Sequence, residues 1–168
     1  MLTHPLIARS GDIMNYLEKA RKGLIPESSK FGCPEIDDYL RFKKGNFIVV
    51  TGHANVGKTH TILFLMLMHS LKNGTKWLVY SSENDVNSIS RKLIEFLDGR
   101  QIQYIEEKNF YRHLDFINGH FQFIDNESLF DVFSLLETAE EMYDEWAFDG
   151  MLIDPYNSLT INQKILGK

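Results

Sequence analysis

The sequence predicts an α/β fold in which a parallel sheet is flanked by helices. Apolar strand patterns alternate with amphipathic helix patterns along the chain, and strands joined through helices require right-handed crossovers and parallel pairing. The segments 47–50 and 151–153 are continuously apolar, which is typical of strands that helices cover on both faces. A glycine-rich loop, residues 52–59, also stands between the first predicted strand and the first long helix.

The first half of the chain predicts two short helices, one strand and one long helix. Residues 11–22 place Ile13, Tyr16, Leu17 and Ala20 on one helical face, and Gly23 ends the pattern. A connector at 24–30 contains Pro26 and two serines, and residues 34–40 predict a short helix. The apolar run 47–51 predicts a strand, and the helix predicted at 58–71 ends before Asn73-Gly74, a C-cap signal.

The second half predicts three strands and three helices. Strands are predicted at 77–81, 121–124 and 151–154 from their apolar, β-branched and aromatic residues. A helix capped by Asn84 or Asp85 ends at Gly99, and its apolar residues share one face. A short helix is predicted at 109–117, with Gly119 behind it, and Ser128 is the predicted cap of a long helix that follows.

Composition indicates a packed globular protein without membrane or secretory character. The chain has 168 residues, of which 43% are hydrophobic and 12% aromatic, enough for a sizeable core. The longest apolar run, 62–68, is too short to span a bilayer, and the first residues do not resemble a signal peptide. The single cysteine, Cys33, excludes an internal disulfide and fits a reducing compartment, so we expect a cytoplasmic protein. A net charge of −5 argues against a chain that coats nucleic acid with its whole surface.

The loop at residues 52–59 has the pattern G-x-x-x-x-G-K-[ST] and is called the phosphate loop below. Glycines allow successive backbone N–H groups to face phosphate oxygens, and the following helix adds its positive N-terminal end. Lys58 is expected to reach the β and γ phosphates of a nucleoside triphosphate, and Thr59 to offer its hydroxyl to Mg²⁺. The residues expected to line the nucleotide are Gly52, His53, Ala54, Asn55, Val56, Gly57, Lys58, Thr59 and His60.

Two acidic residues at predicted strand ends complete a candidate site. Asp154 ends an apolar strand and is expected at the same sheet edge as the phosphate loop, where it could help to hold Mg²⁺. The alternative is an aspartate that only begins a turn with Pro155. Glu83 lies just past the strand 77–81 and is the candidate for polarising the attacking water. Its alternative is a surface glutamate in a helix-capping stretch.

These motifs together resemble a known family. Gly52 to Thr59, then Tyr80-Ser81-Ser82-Glu83, then Met151-Leu152-Ile153-Asp154 resemble the RecA-like ATPase core, most of all the motor domain of DnaB-like ring helicases, particularly those of bacteriophages. The resemblance covers residues 30 to 160. It implies that Glu83 activates water, that Asp154 lies on the Mg²⁺ side, and that ATP hydrolysis drives movement on single-stranded DNA. It also implies a homo-oligomeric ring and, for a viral chain, the host cytoplasm.

The resemblance divides the chain into an N-terminal helix and linker at 1–30 and a RecA-like ATPase core at 31–168. It has two departures. After Asp154 the chain reads Pro155-Tyr156-Asn157-Ser158-Leu159 rather than the Tyr and Leu-Gln usual in those helicases. The family's later strands, polar sensor, DNA-contacting loops and arginine finger do not occur before Lys168, so the core is expected to be incomplete at its C-terminus. Contacts with DNA would then come from segments beyond this chain.

Three other functions stay open from the residues. The first is a recombinase-like or regulatory RecA-type ATPase that does not unwind DNA. The second is a nucleotide-binding module without turnover, since an arginine finger is missing. The third is a nucleotide or small-molecule kinase, although no Arg-rich segment after the first long helix predicts the lid that such kinases use.

Overall fold

Three parallel strands form the sheet of the computed structural model, which describes residues 10–25, 27–125 and 131–159. They are β1 (Trp77–Ser81), β2 (Phe121–Ile124) and β3 (Gly150–Asp154), in the spatial order β2-β1-β3. The central strand β1 pairs Trp77 with both Phe121 and Gly150, and its last residue, Ser81, lies opposite Asp154. The carboxyl ends of β1 and β3 therefore meet at one edge of the sheet, and the predicted α/β fold class is confirmed at this level.

The described part of the chain contains six helices. Their bounds are α1 Ser10–Arg21, α2 Pro34–Asp37, α3 Lys58–Asn73, α4 Val86–Asp98, α5 Glu107–His120 and α6 Val132–Glu145, with 3₁₀ turns at Ile102–Tyr104 and Tyr156–Ser158. Among these described residues, no helix is long and apolar enough to cross a bilayer.

The helix ends follow the local sequence signals closely. Gly74 ends α3 in the left-handed conformation at φ 68°, as the C-cap signal predicts. Of the two predicted caps of α4, the structure selects Asp85, whose side chain accepts the Ser88 amide. Asp131 caps α6 through the amides of Phe133 and Ser134, while the predicted cap Ser128 lies outside the described residues.

Helices cover both faces of the sheet. Successive residues of β1 point to opposite sides, and apolar side chains lie on each side. Trp77 and Val79 lie in a core with the buried residues of α3, α4 and α5. Leu78 and Tyr80 face the other way and pack with Leu135 and Ala139 of α6. All of β1 is buried, which explains its continuous apolar sequence.

The prediction of a strand at 47–51 is wrong for this structure. Residues 46–53 have no regular secondary structure, and every one of them is exposed, Phe47 to 86%. A short apolar segment becomes a strand only when a neighbouring strand accepts its backbone hydrogen bonds. In the described part of the chain β3 pairs with β1 alone and no strand pairs with 47–51, so the apolar pattern here has no partner.

Two helix boundaries also differ from the sequence prediction. Helix α5 begins at Glu107 and runs through Gly119 to His120, where the chain passes directly into β2. Gly119 meets no atom that would clash with a Cβ and has no positive φ, so it does not act as a helix stop. Helix α2 has four residues rather than seven and ends at Asp37, whose buried carboxylate accepts the amides of Phe31 and Gly32.

The N-terminal helix α1 lies at the surface. Its predicted apolar residues Ile13, Tyr16 and Leu17 are each about half exposed, at 48, 57 and 53%. The connector after it reaches the core at Ser29, which pairs with Phe42 in an isolated antiparallel bridge. The fold that positions the site is therefore the sheet with α3 to α6.

The contact between Trp77 and Gly150 sets how closely β1 and β3 pack beside α3. The Trp77 indole N–H donates to the Met66 carbonyl at 3.1 Å and to Ser70 Oγ at 2.9 Å, which fixes the ring under α3. A Cβ added to Gly150 would lie 2.8 Å from Trp77 Cε3 and closer still to Cζ3. The ring cannot give way, because its N–H holds it to the helix.

Gly150→Ala is therefore expected to lower the free energy of unfolding by about 1–3 kcal/mol through overpacking. Chemical denaturation measures this change in the free energy of unfolding. Gly119→Ala is the matched control, because a Cβ there meets nothing within 4 Å and a helical glycine-to-alanine change favours the helix by about 0.5–1 kcal/mol. Equal stability of the two variants would contradict this account of Gly150.

His69 is a buried, neutral link between α3 and the segments beside it. The ring is 2% exposed, with Nε2 2.8 Å from Ser29 Oγ and Nδ1 2.5 Å from Thr75 Oγ1. The edges of Phe31, Phe42 and Trp77 surround it. Burial lowers the pKa of His69, assisted by Lys72 and opposed by Asp149 and Asp37.

The folded protein binds a proton at His69 less readily than the unfolded chain does. The contribution of neutral His69 to the free energy of unfolding is therefore complete above the ordinary histidine pKa of about 6.5, and it falls as the pH drops below that value. One such proton changes the free energy of unfolding by at most about 1.4 kcal/mol per pH unit. Denaturation at pH 7.5 and 5.5 should show this loss in the wild type and in His120→Gln, and a smaller loss in His69→Gln. The same pH dependence in His69→Gln would contradict the assignment.

Candidate nucleotide-binding site

The phosphate loop has the backbone conformation that its glycines predict. Gly57 is left-handed at φ 88° and ψ 21°, and Asn55 is also left-handed at φ 60°. Gly57 is the N-cap of α3 and supplies no side-chain cap, so the first turn of this 16-residue helix keeps its amide groups facing the loop. Residues 51–57 are exposed. The N-terminal end of α3 is thus an accessible site for an anion.

Lys58 lies folded back over the loop that precedes it. Its ammonium donates to the Gly52 carbonyl at 3.0 Å and to the His53 carbonyl at 2.8 Å. A Cβ at Gly52 would lie 3.3 Å from Val56 Cγ2 and 3.5 Å from Lys58 Cδ, so glycine leaves room for the lysine stem. The positive charge therefore sits at the mouth of the loop, where phosphate oxygens could replace the two carbonyls.

Thr59 and Asp154 meet at the carboxyl end of β3. The Thr59 hydroxyl donates to Asp154 Oδ2 at 2.7 Å, although the two residues are 95 positions apart in sequence. Both side chains are partly buried. The structure thus brings together the two residues that the sequence analysis named as candidate Mg²⁺ ligands, and their role in binding metal stays a prediction.

A hydroxyl beside a carboxylate fits the oxygen ligands that Mg²⁺ prefers, and this ion usually keeps several waters and takes further oxygens from substrate phosphates. In residues 10–25, 27–125 and 131–159, no group of three or more His, Cys, Asp or Glu side chains could hold a metal by itself. Thr59 and Asp154 therefore suit a metal ion that binds together with a nucleotide.

Glu83 lies at the same sheet edge, two residues beyond the end of β1. The Ser82 amide donates to the Asp154 carbonyl at 3.0 Å, and the Asn84 amide donates to Ser81 Oγ at 3.1 Å. The main chain on each side of Glu83 is thereby held, while its carboxylate is exposed. Its position agrees with the predicted site, and its catalytic role remains a prediction.

The two histidines beside the loop have different surroundings. His53 contributes a backbone carbonyl to Lys58. The His60 ring meets the Phe96 ring edge-on, with centroids 4.9 Å apart, and Phe96 also meets Phe64 at 5.6 Å. His60 thus packs toward α4, and the contacts predicted between residues 52–60 and a nucleotide remain predictions.

Asp85, the N-cap residue of α4, lies close to Glu83 and is stabilised in its charged form. The Asp85 carboxylate accepts the Ser88 hydroxyl at 2.6 Å and the Ser88 amide at 2.9 Å. These hydrogen bonds, the side-chain one first, lower the pKa of Asp85. The cap therefore stays ionised at neutral pH and keeps the turn around Glu83 in place.

Three serines were missed by reasoning from the sequence. Ser81 accepts the Asn84 amide, and the Ser82 hydroxyl donates to Ser158 Oγ at 2.7 Å. Ser81 and Ser82 stand inside the motif that was recognised, so the sequence held a signal for them. Ser158 lies beyond Pro155, and no spacing rule places its side chain against Ser82.

The described fold is an α/β protein whose parallel sheet is compatible with a RecA-like core. The chain is 33% identical over 143 residues to the Twinkle homolog protein, chloroplastic/mitochondrial, of Arabidopsis thaliana. The match covers 76% of this chain and 20% of that relative, so the chain spans about a fifth of the relative's length. No protein-family model matches the chain. The similarity supports a helicase-like RecA fold, without showing that the chain is of phage type.

Proposed function

We propose that this chain is the ATP-binding and ATP-hydrolysing motor domain of a DnaB-like DNA helicase, which couples hydrolysis to translocation on single-stranded DNA. The observation that carries the proposal is the hydrogen bond between Thr59 and Asp154. It joins the phosphate loop to the sheet edge at which Glu83 also lies. The similarity to the Twinkle homolog supports the helicase class.

Each residue has a stated role in this proposal. The amides of the loop and the α3 N-terminus bind the phosphates, and Lys58 neutralises the β and γ phosphates. Thr59 and Asp154 would hold Mg²⁺, which supplies charge neutralisation at the phosphates when bound. Glu83 orients and polarises the attacking water, and its exposure leaves that side open to solvent.

The proposal extends to partners outside the described site. Single-stranded DNA would be a partner, and the active unit would be a homo-oligomeric ring in the cytoplasm, or in the host cytoplasm for a phage protein. A recombinase-like or regulatory ATPase would use the same residues and would hydrolyse ATP without displacing a DNA strand. A strand-displacement assay separates the two.

A nucleotide-binding module without turnover is the second candidate. Lys58 is the only lysine or arginine in residues 52–59, and many phosphoryl-transfer sites need an additional arginine at the transition state. A site with Lys58 alone would bind ATP well and turn it over slowly. Tight ATP binding without phosphate release, at high protein concentration and with single-stranded DNA present, would favour this module over the motor.

Lys58→Ala and Glu83→Gln should separate binding from turnover. Lys58→Ala is expected to weaken ATP binding about 100-fold, because it removes a charged hydrogen-bond donor. Glu83→Gln should keep the wild-type affinity and lower turnover by about 10²- to 10⁴-fold. Binding titrations and phosphate-release assays measure the two effects, with Lys108→Ala and Glu107→Gln on α5 as exposed controls. An equal loss of binding in both site variants would contradict the division of roles.

Asp154→Asn should reduce the part of ATP affinity that depends on Mg²⁺. The asparagine side chain still accepts a hydrogen bond from the Thr59 hydroxyl, so the phosphate loop stays bonded to β3. The negative charge that would bind the metal ion is lost. We expect the ratio of affinities with Mg²⁺ and with EDTA to fall about 10- to 100-fold. Asp144→Asn on the exposed side of α6 is the control. An unchanged ratio in Asp154→Asn would show that this carboxylate does not serve the metal.

A further inference from the structure

The residue directly before Glu83 is bonded to the last residue of β3 and to the turn that follows it. The Ser82 amide donates to the Asp154 carbonyl at 3.0 Å, and the Ser82 hydroxyl donates to Ser158 Oγ at 2.7 Å. The Ser158 hydroxyl then donates to the Pro155 carbonyl at 2.8 Å. Each of the two hydroxyls donates once, so the two hydroxyl bonds run in one direction from Ser82 through Ser158 to Pro155.

These bonds connect the two acidic residues of the proposed site. Glu83 is one residue from Ser82, and Asp154 precedes the turn that Ser158 closes. On the other side of Glu83 the Asn84 amide is held by Ser81 Oγ. A carboxylate that orients a water must be held within a fraction of an ångström of its productive position, and the Glu83 side chain is itself exposed. Its placement therefore depends on how firmly its main chain is fixed.

We infer that Ser82 and Ser158 are positioning residues, which hold Glu83 at a fixed place relative to Asp154 and the phosphate loop. The inference rests on the proposed function, because it assigns the hydroxyls a role through Glu83. Both serines act on the position of that carboxylate and leave the phosphate-binding groups unchanged. The effect of removing either hydroxyl should thus appear in turnover and not in nucleotide affinity.

A role in global stability would have a different signature. The bond between Ser82 and Ser158 is exposed to solvent, and water replaces an exposed hydrogen bond at little net cost in folding. The backbone bond from Ser82 to Asp154 also survives a change to alanine. The protein should therefore remain folded, with Glu83 less tightly held.

The test is steady-state ATP hydrolysis by the full chain with Mg²⁺ and single-stranded DNA. Ser82→Ala and Ser158→Ala should each lower kcat about three- to tenfold, the range of one hydrogen bond, at an unchanged KM for ATP. Ser82→Thr keeps a hydroxyl and should recover most of the loss. Ser134→Ala on α6 is the matched control, since its hydroxyl donates to the Asp131 carbonyl and bonds to no residue of the proposed site in the described contacts.

The double variant Ser82→Ala with Ser158→Ala should lose no more than Ser158→Ala alone, because Ser158→Ala already removes both hydroxyl bonds. Wild-type kcat in the single variants, additive losses in the double variant, or a raised KM at constant kcat would each overturn the inference and leave the proposed function standing. A folded wild type that binds ATP and releases no phosphate would overturn the proposed motor function, and the inference with it.

Discussion

The hydrogen bond from Thr59 to Asp154 joins the phosphate loop to the sheet, and the geometry of the candidate site depends on it. The segment before the loop, residues 46–51, is exposed and pairs with no described strand, so the sheet does not hold the loop from that side. A hydroxyl-to-carboxylate bond is among the stronger hydrogen bonds in proteins. At 2.7 Å, it sets the start of α3 against the end of β3.

The remainder of α3 supports this contact from its buried side. Leu63 and Leu67 are fully buried against the sheet. Further along, Met66 and Ser70 hold the Trp77 indole, and Gly150 lets that ring lie against β3. Helix α3 is thus bonded to both β1 and β3. Its N-terminus is carried to the edge where those strands end, which is where a phosphate group would find the loop amides and Lys58.

Much of this arrangement was predictable from local signals. The strand Trp77–Ser81, the glycine end of α3 and the Asp85 cap of α4 follow from burial pattern and capping chemistry that act within a few residues. The approach of Asp154 to Thr59 was predicted from the rule that parallel strands end at one edge, with 47–51 as one of those strands. The contact forms although 47–51 is not a strand. These predictions depended on contacts that the neighbouring sequence or the sheet topology determines.

Two predictions about secondary structure failed, and one contact at the site was not predicted. The run 47–51 has the composition of a buried strand, but strand formation also needs a neighbour in register. The helix predicted at 109–117 continues through Gly119 to His120, because Gly119 does not adopt a positive φ. The bond between Ser82 and Ser158 joins residues 76 positions apart, and only the folded turn after Asp154 shows it.

The proposed function requires that the phosphate loop, Asp154 and Glu83 surround one metal-bound nucleotide. NMR with Mn²⁺ and a non-hydrolysable ATP analogue tests it most directly, since the paramagnetic ion broadens amide signals only in its neighbourhood. We expect the amide signals of Gly57, Lys58, Thr59, Asp154 and Glu83 to broaden, while that of Ile117 in α5 stays sharp. Sharp signals at Asp154 and Glu83 beside a broadened loop, or broadening centred elsewhere, would contradict it.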